Sequence, residues 1–174
     1  APAPHRMSSR PTILVTGAAG KTGRAVTRAL VRDGWIVRAL VPSPRHGEMA
    51  TAVGVEQIVE GDLLVDDDVR EAVRGTDAVY HICPNVHPDE TDIGRRVIAA
   101  AQAADVDRFV LHSVLHPQVD ALPNHWAKLR VDVHLFESGN TFTVLQPAPY
   151  MQKILGQRDR IPREGVYRVP YALT

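Results

Sequence analysis

The sequence has little cysteine, no excess of charge of either sign and no long apolar run. Among its 174 residues Cys83 is the single cysteine, which excludes an intrachain disulfide and a cysteine-rich zinc site. Twenty basic side chains balance 20 acidic ones, so no general electrostatic field attracts nucleic acid or anionic lipid. No segment approaches the ~18 apolar residues of a membrane-spanning helix. These absences predict a cytoplasmic protein that binds neither nucleic acid nor membrane.

The chain divides into three parts by pattern. Residues 1–11 are rich in proline, arginine and serine and lack the apolar segment of a signal peptide, so we expect them to be disordered or an artificial remnant of expression. Residues 12–149 are expected to form one domain. Residues 150–174 show no strong period, and we expect them to begin a C-terminal region that is cut short.

From Thr12 onward, short β-branched segments alternate with longer segments whose apolar residues recur at helical spacing. The predicted strands are 12–16, 36–41, 56–59, 77–82, 107–113 and 141–145. The predicted helices between them are 20–33, 47–53, 66–73, 89–104 and 126–138. This alternation predicts an α/β fold with a doubly wound parallel sheet of the Rossmann type and strand order 3-2-1-4-5-6.

Three glycines at regular spacing, Gly17, Gly20 and Gly23, lie between the first strand and the first helix. The first allows a tight turn, the second lets the backbone approach a pyrophosphate, and the third lets helix and strand pack closely. Only three residues separate Gly17 from Lys21, which is too few for the Gly-x-x-x-x-Gly-Lys spacing of a nucleoside-triphosphate P-loop. A loop whose glycines serve turn geometry alone is the alternative. The expected cofactor-binding residues here are Gly17, Ala19, Gly20, Lys21, Thr22 and Gly23.

The end of the second strand indicates which dinucleotide is preferred. An acidic residue there would bind the adenosine ribose and repel a 2′-phosphate, but the segment 41–45 contains no carboxylate. Ser43 can donate a hydrogen bond to a phosphate and Arg45 can contact one through two nitrogens. We therefore predict NADP, with NAD as the alternative cofactor. The competing interpretation is that Arg45 and Lys21 are solvated surface charges.

Further motifs extend along the chain. Gly61-Asp62 follows the third strand, Lys128 is followed four residues later by Asp132, and the last strand reads Phe-Thr-Val-Leu-Gln-Pro over residues 142–147. Together with the glycine loop, these motifs make residues 11–153 resemble the NmrA-like group of atypical short-chain dehydrogenases.

This resemblance implies a nicotinamide dinucleotide at the glycine loop. It places Asp62 and Leu63 beside the adenine, and Cys83 and Pro84 near the cofactor. It also implies that residues 150–174 are the start of a truncated C-terminal region that covers the substrate pocket. Cysteine chemistry is not expected, because nothing in the sequence indicates a lowered pKa for Cys83. Gln146 departs from the arginine of the family's last strand motif.

The catalytic residues also depart from the family pattern. Short-chain dehydrogenases use Tyr-x-x-x-Lys, but counting back from Lys128 gives Asn124, whose amide does not exchange a proton near neutral pH. His125 is the expected substitute as acid or base. Ser113, at the end of the fifth strand, and Lys128 are expected to orient the substrate and the nicotinamide ribose. The alternatives are a serine that ends a strand, a loop histidine and a lysine on a helix surface.

The sequence therefore predicts an NADPH-dependent reductase of a small carbonyl, quinone or conjugated substrate. Because Asn124 replaces the tyrosine, a non-catalytic NAD(P) sensor that binds a protein partner is the alternative, and a homo-oligomer is a further expectation. The spacing of His112 and His116 before Pro117 does not suit a zinc site, so no metal is expected. No Gly-x-Ser-x-Gly motif supports a serine hydrolase.

Overall fold

In the computed structural model, which describes residues 10–84, 86–119 and 122–168, one parallel sheet forms the centre of the protein. Its strands are β1 (Thr12–Thr16), β2 (Ile36–Val41), β3 (Gln57–Glu60), β4 (Ala78–His81), β5 (Arg108–His112) and β6 (Phe142–Leu145). They pair in the order β3-β2-β1-β4-β5-β6, which confirms the predicted doubly wound α/β fold and its strand order. The order reverses between β1 and β4, where ligands bind in such sheets.

Helices connect the strands and two short helices follow them. These are α1 (Lys21–Arg32), α2 (Pro44–Thr51), α3 (Asp66–Val73), α4 (Glu90–Ala103), α5 (Pro123–Glu137), α6 (Gln152–Leu155) and α7 (Ile161–Glu164). Both α2 and α5 begin three residues earlier than predicted. A proline stands at the start of each, where its fixed φ suits a helix and its missing amide costs no hydrogen bond.

The sheet is buried on both faces because successive side chains of a strand point to opposite sides. Ile13 and Val15 of β1 pack with Ala50 of α2 on one face. Leu14 packs on the other face in a cluster that includes Val97 of α4 and Val131 of α5. This two-sided burial explains why β1 is a continuous apolar run.

The ends of the chain lie partly outside the described residues. Residues 1–9 of the predicted N-terminal stretch and residues 169–174 of the predicted C-terminal region fall there. Arg10 pairs with Glu56 at 2.8 Å, and α6 and α7 contain no buried residue. Within the part of the chain that the structure describes, no helix is both long enough and apolar enough to cross a membrane.

Candidate functional site

The glycine loop connects β1 to α1 at the carboxyl edge of the sheet. Gly17 has a φ of 66°, and the Gly20 amide donates a hydrogen bond to the Gly17 carbonyl at 2.9 Å. A Cβ atom added at Gly23 would lie 2.1 Å from the Gly17 oxygen, so only glycine fits there. Among the described residues no side chain caps α1 and no acidic residue stands in its first turn. The open amides of this helix end fit a pyrophosphate.

The other predicted residues of the glycine loop surround this helix end. Ala19 is buried, Lys21 is exposed at the first position of α1, and Thr22 is half-buried next to it. Their role in binding a cofactor stays a prediction.

Three polar residues, Ser43, Arg45 and His46, lie just after the end of β2. The Ser43 hydroxyl lies 2.8 Å from His46 Nδ1, and Arg45 is exposed between them in the first turn of α2. No acidic residue stands in this first turn either. Sequence analysis missed His46, whose place in a helix start directly after β2 was the available signal. These side chains can together donate hydrogen bonds to a phosphate.

The loop after β3 is fixed by local hydrogen bonds. The Leu64 amide donates to the Asp62 carboxylate at 2.9 Å, and the Asp62 amide donates to Asp68 at 2.8 Å. Leu63 is half-buried and packs against the core. Asp62 is exposed at the same edge of the sheet as the glycine loop, so it can face a ligand there.

A buried ion pair lies beside the ends of β4 and β5. Lys128 of α5 donates a hydrogen bond to Glu90, the first residue of α4. The Glu90 side chain is 2% exposed and that of Lys128 is 16% exposed. Both charges are therefore largely out of water, and each depends on the other. Lys128 is not a solvated lysine on a helix surface.

Ser113 and Asp132 form a second buried pair beside the first. The Ser113 hydroxyl donates to Asp132 Oδ2 at 3.0 Å, whereas Asp132 Oδ1 has no partner within the described residues. Burial raises the pKa of Asp132, while hydrogen bonds from Ser113 and Gln146 and the charge of Lys128 oppose the rise. Gln146, in the position where the family has an arginine, is thus close to this carboxyl group.

His81 and Cys83 complete this cluster. His81 Nδ1 lies 2.9 Å from the Thr16 hydroxyl, but His81 Nε2 is buried and finds no partner in the described chain. Burial, with a smaller effect of Lys128, lowers the pKa of His81 to about 3. Burial and nearby Glu90 raise the pKa of Cys83 to about 12, so its thiol stays protonated.

These groups share one small cavity. It is lined by His81, Cys83, Glu90, Leu111, His112, Ser113, Lys128, Val131 and Asp132. The structure therefore brings together Ser113, Lys128 and Cys83 of the predicted residues, while Pro84 is exposed next to them. Sequence analysis missed Glu90, His81 and Asp132 as partners, because only the fold brings α4 and α5 to the same strand ends.

His125 lies in the first turn of α5, not in a loop. Its Nδ1 atom donates a hydrogen bond to the His116 carbonyl at 3.0 Å. His125 shares a face of α5 with Lys128 and Asp132 but does not line the cavity. No group of three or more His, Cys, Asp or Glu side chains in residues 10–84, 86–119 and 122–168 is arranged to hold a metal ion.

Tyr80, His112 and Tyr150 form a row of hydrogen-bonded side chains at the carboxyl edge of the sheet. Thr22 donates a hydrogen bond to the Tyr150 hydroxyl at 3.1 Å, and His112 Nε2 lies 2.7 Å from that hydroxyl. His112 Nδ1 lies 3.1 Å from the Tyr80 hydroxyl. Burial, with a smaller effect of Lys128, lowers the pKa of His112, so the ring is neutral near pH 7. Sequence analysis assigned no function to Tyr80, His112 or Tyr150.

Comparison with known proteins agrees with this geometry. A family model described as NAD(P)H-binding matches residues 17–165. An NAD(P)H azoreductase from Xenophilus azovorans is 30% identical over 91% of this chain and 55% of its own length. The chain spans about half the length of the curated relatives it matches.

Solved structures show the same fold. An NADPH-dependent quinone oxidoreductase from Escherichia coli, complexed with NADPH, has a TM-score of 0.76 at 24% identity and covers 89% of this chain and 55% of that one. A triphenylmethane reductase from Citrobacter sp., complexed with NADP(H), has a TM-score of 0.73 at 21% identity and covers 87% and 55%.

Proposed function

This chain belongs to the NAD(P)H-binding family, and from that premise we propose that it is an NADPH-dependent reductase of small carbonyl, quinone or other conjugated acceptors. The observation that carries the proposal is the arrangement at the carboxyl edge of the sheet. There the open end of α1 and the glycine loop face the crevice between β1 and β4, next to the buried Lys128–Glu90 pair. This is where a doubly wound sheet holds a dinucleotide and its reaction partner.

The end of β2 supports a preference for the 2′-phosphate of NADP. Ser43, Arg45 and His46 offer hydrogen-bond donors there, and α2 begins with its positive end beside them. NAD lacks this phosphate, so it would leave the donors unused. Of the relatives, the quinone oxidoreductase and the triphenylmethane reductase were solved with NADPH or NADP(H).

On the acceptor side, bound NADPH would supply a hydride, and the protein's own residues would hold the cofactor and the acceptor. Glu90 fixes the ammonium group of Lys128 near the crevice, where it can bind the nicotinamide ribose. The single hydrogen of the Ser113 hydroxyl is engaged by Asp132, so Ser113 offers lone pairs to a ligand while that bond persists. The use of His125 as acid or base stays a prediction.

The relatives' names favour flat, conjugated acceptors: one reduces azo compounds, one quinones and one triphenylmethane dyes. A non-catalytic NAD(P) sensor with a protein partner is the second candidate, and Asn124 in place of the tyrosine is the observation that favours it. Assembly with a second copy and a cytoplasmic location stay predictions.

Titration of the protein with NADPH, NADP, NADH and NAD at fixed ionic strength tests the cofactor preference. We expect NADPH to bind more tightly than NADH, and Arg45→Ala to weaken NADPH by about tenfold or more, as for loss of a charged hydrogen bond. NADH binding should be unchanged by that variant. Arg108→Ala, which removes an exposed arginine at the opposite edge of the sheet, is the matched control. Equal affinity for all forms in wild type and Arg45→Ala contradicts the proposal.

A further inference from the structure

With the tyrosine of the Tyr-x-x-x-Lys motif missing, the proton donor predicted for reduction is His125, which does not line the cavity beside the strand ends. Hydride transfer to a quinone or carbonyl places negative charge on the acceptor, and a proton must reach its oxygen. Asn124 does not supply one. Tyr150 presents a phenol at the same edge of the sheet, between the glycine loop and the end of β5.

We propose that Tyr150 is the proton donor of the reduction and that His112 and Tyr80 position it. This inference rests on the proposed reductase function and adds a catalytic residue to it. In the balanced step, a hydride leaves the reduced nicotinamide and adds to the acceptor, and the Tyr150 O–H bond breaks as its proton passes to the acceptor oxygen. Water then returns a proton to the phenolate, because the Tyr150 side chain is 37% exposed.

Hydrogen-bond directions support this assignment. The Tyr80 hydroxyl is half-buried, and burial raises the pKa of Tyr80, so it stays protonated and needs an acceptor. His112 Nδ1, at 3.1 Å, is its partner. The neutral ring of His112 carries one N–H, which is then on Nε2 and donates to the Tyr150 oxygen at 2.7 Å.

Thr22 completes the arrangement. Its hydroxyl donates to the same Tyr150 oxygen at 3.1 Å. The phenol oxygen therefore accepts two hydrogen bonds and its own O–H remains free to point to an acceptor in the crevice. After proton transfer both donors stabilise the phenolate, which is how a weak acid is adapted for general acid catalysis.

Two acceptors separate proton donation from hydride transfer. A para-quinone needs a hydride and a proton, whereas a cationic triarylmethane dye is neutralised by the hydride alone. We expect Tyr150→Phe to slow quinone reduction by about 10²-fold, the lower end of the range for general acids. Dye reduction and NADPH affinity should stay as in the wild type. Tyr167→Phe, which alters an exposed tyrosine of the tail, is the control for both acceptors.

A second readout does not use the cofactor. Nitrogen NMR of ¹⁵N-histidine in the cofactor-free protein should show the His112 proton on Nε2, and Tyr80→Phe should shift it toward a mixture of tautomers. His112→Phe should slow quinone reduction selectively, and His112→Gln, which keeps an N–H donor, should recover part of the rate.

The outcomes are distinguishable. The proposal is overturned, while the reductase function stands, if Tyr150→Phe leaves quinone reduction unchanged or slows the reduction of both acceptors equally. A His112 proton on Nδ1 also overturns it. If the wild type reduces neither acceptor, the reductase function fails and this proposal fails with it.

Discussion

Replacing Gly23 with alanine probes the contact that sets the cofactor loop against its helix. The added Cβ would lie 2.1 Å from the Gly17 oxygen and 2.7 Å from the Ala18 Cα atom, both of which are backbone atoms. Relief requires α1 to move from the loop by roughly 1 Å, because ordinary carbon–oxygen contacts exceed 3 Å. We expect a loss of about 2–3 kcal/mol in the free energy of unfolding, as for other overpacked sites.

Gly47 provides the matched control. It is also a buried glycine within a helix, but an added Cβ would meet only Ile58 and Val41 side-chain carbons, at 3.5 and 3.8 Å. Gly47→Ala should therefore stabilise the protein by about 0.5–1 kcal/mol through helix propensity. Urea unfolding of the two variants measures both effects, and NADPH titration should show weaker binding for Gly23→Ala alone. Equal stability of the two variants, or unchanged NADPH affinity in Gly23→Ala, would refute the reasoning.

Two further predictions concern the buried cluster. Glu90→Gln and Lys128→Met should each lower the free energy of unfolding by about 3 kcal/mol, because each leaves a buried charge without its partner. The double variant should lose clearly less than the sum of the two losses. If urea unfolding shows additive losses, the two charges are not coupled. In the folded protein His81 has a pKa of about 3 and stays neutral, whereas an unfolded histidine binds a proton below about pH 6.5. The free energy of unfolding should therefore fall as the pH drops from about 6.5 toward 3. His81→Gln should flatten that fall between about pH 6.5 and 5, by at most about 1.4 kcal/mol per pH unit, and an unchanged slope would contradict the burial of a neutral ring.

The sheet and the helices α1 to α5 could be predicted because each of these elements carries a local signal, whereas α6 and α7 lie in a segment without a strong period. The continuous apolar run of β1, the glycine loop and the alternation of periods give the sheet and its order. The starts of α2 and α5 were predicted too late because Pro44 and Pro123 were interpreted as breaks. A proline both ends a strand and begins a helix, and the sequence around it does not separate the two uses.

The candidate site was only partly predictable. Gly17, Gly20 and Gly23 carry a spacing with a backbone reason, and they lie at the junction of β1 and α1 as that spacing predicts, whereas their contact with a cofactor stays a prediction. The partners of Lys128 and Ser113 carry no such signal, because Glu90 meets Lys128 only when α4 packs on α5, and Asp132 meets Ser113 only when α5 packs beside the end of β5. Tyr150 lies 22 residues beyond Lys128, the nearest predicted catalytic residue, and belongs to none of the predicted motifs, so only its hydrogen bonds to Thr22 and His112 reveal it.

Anaerobic mixing of the protein with NADPH and a para-quinone tests the central claim most directly. We expect one hydroquinone to form for each NADPH oxidised, at a rate proportional to protein concentration, and NADH to support a slower reaction. An azo dye and an aromatic aldehyde extend the acceptor range. If NADPH binds but none of these acceptors is reduced, the proposed reductase function is contradicted and the dinucleotide sensor becomes the better supported function.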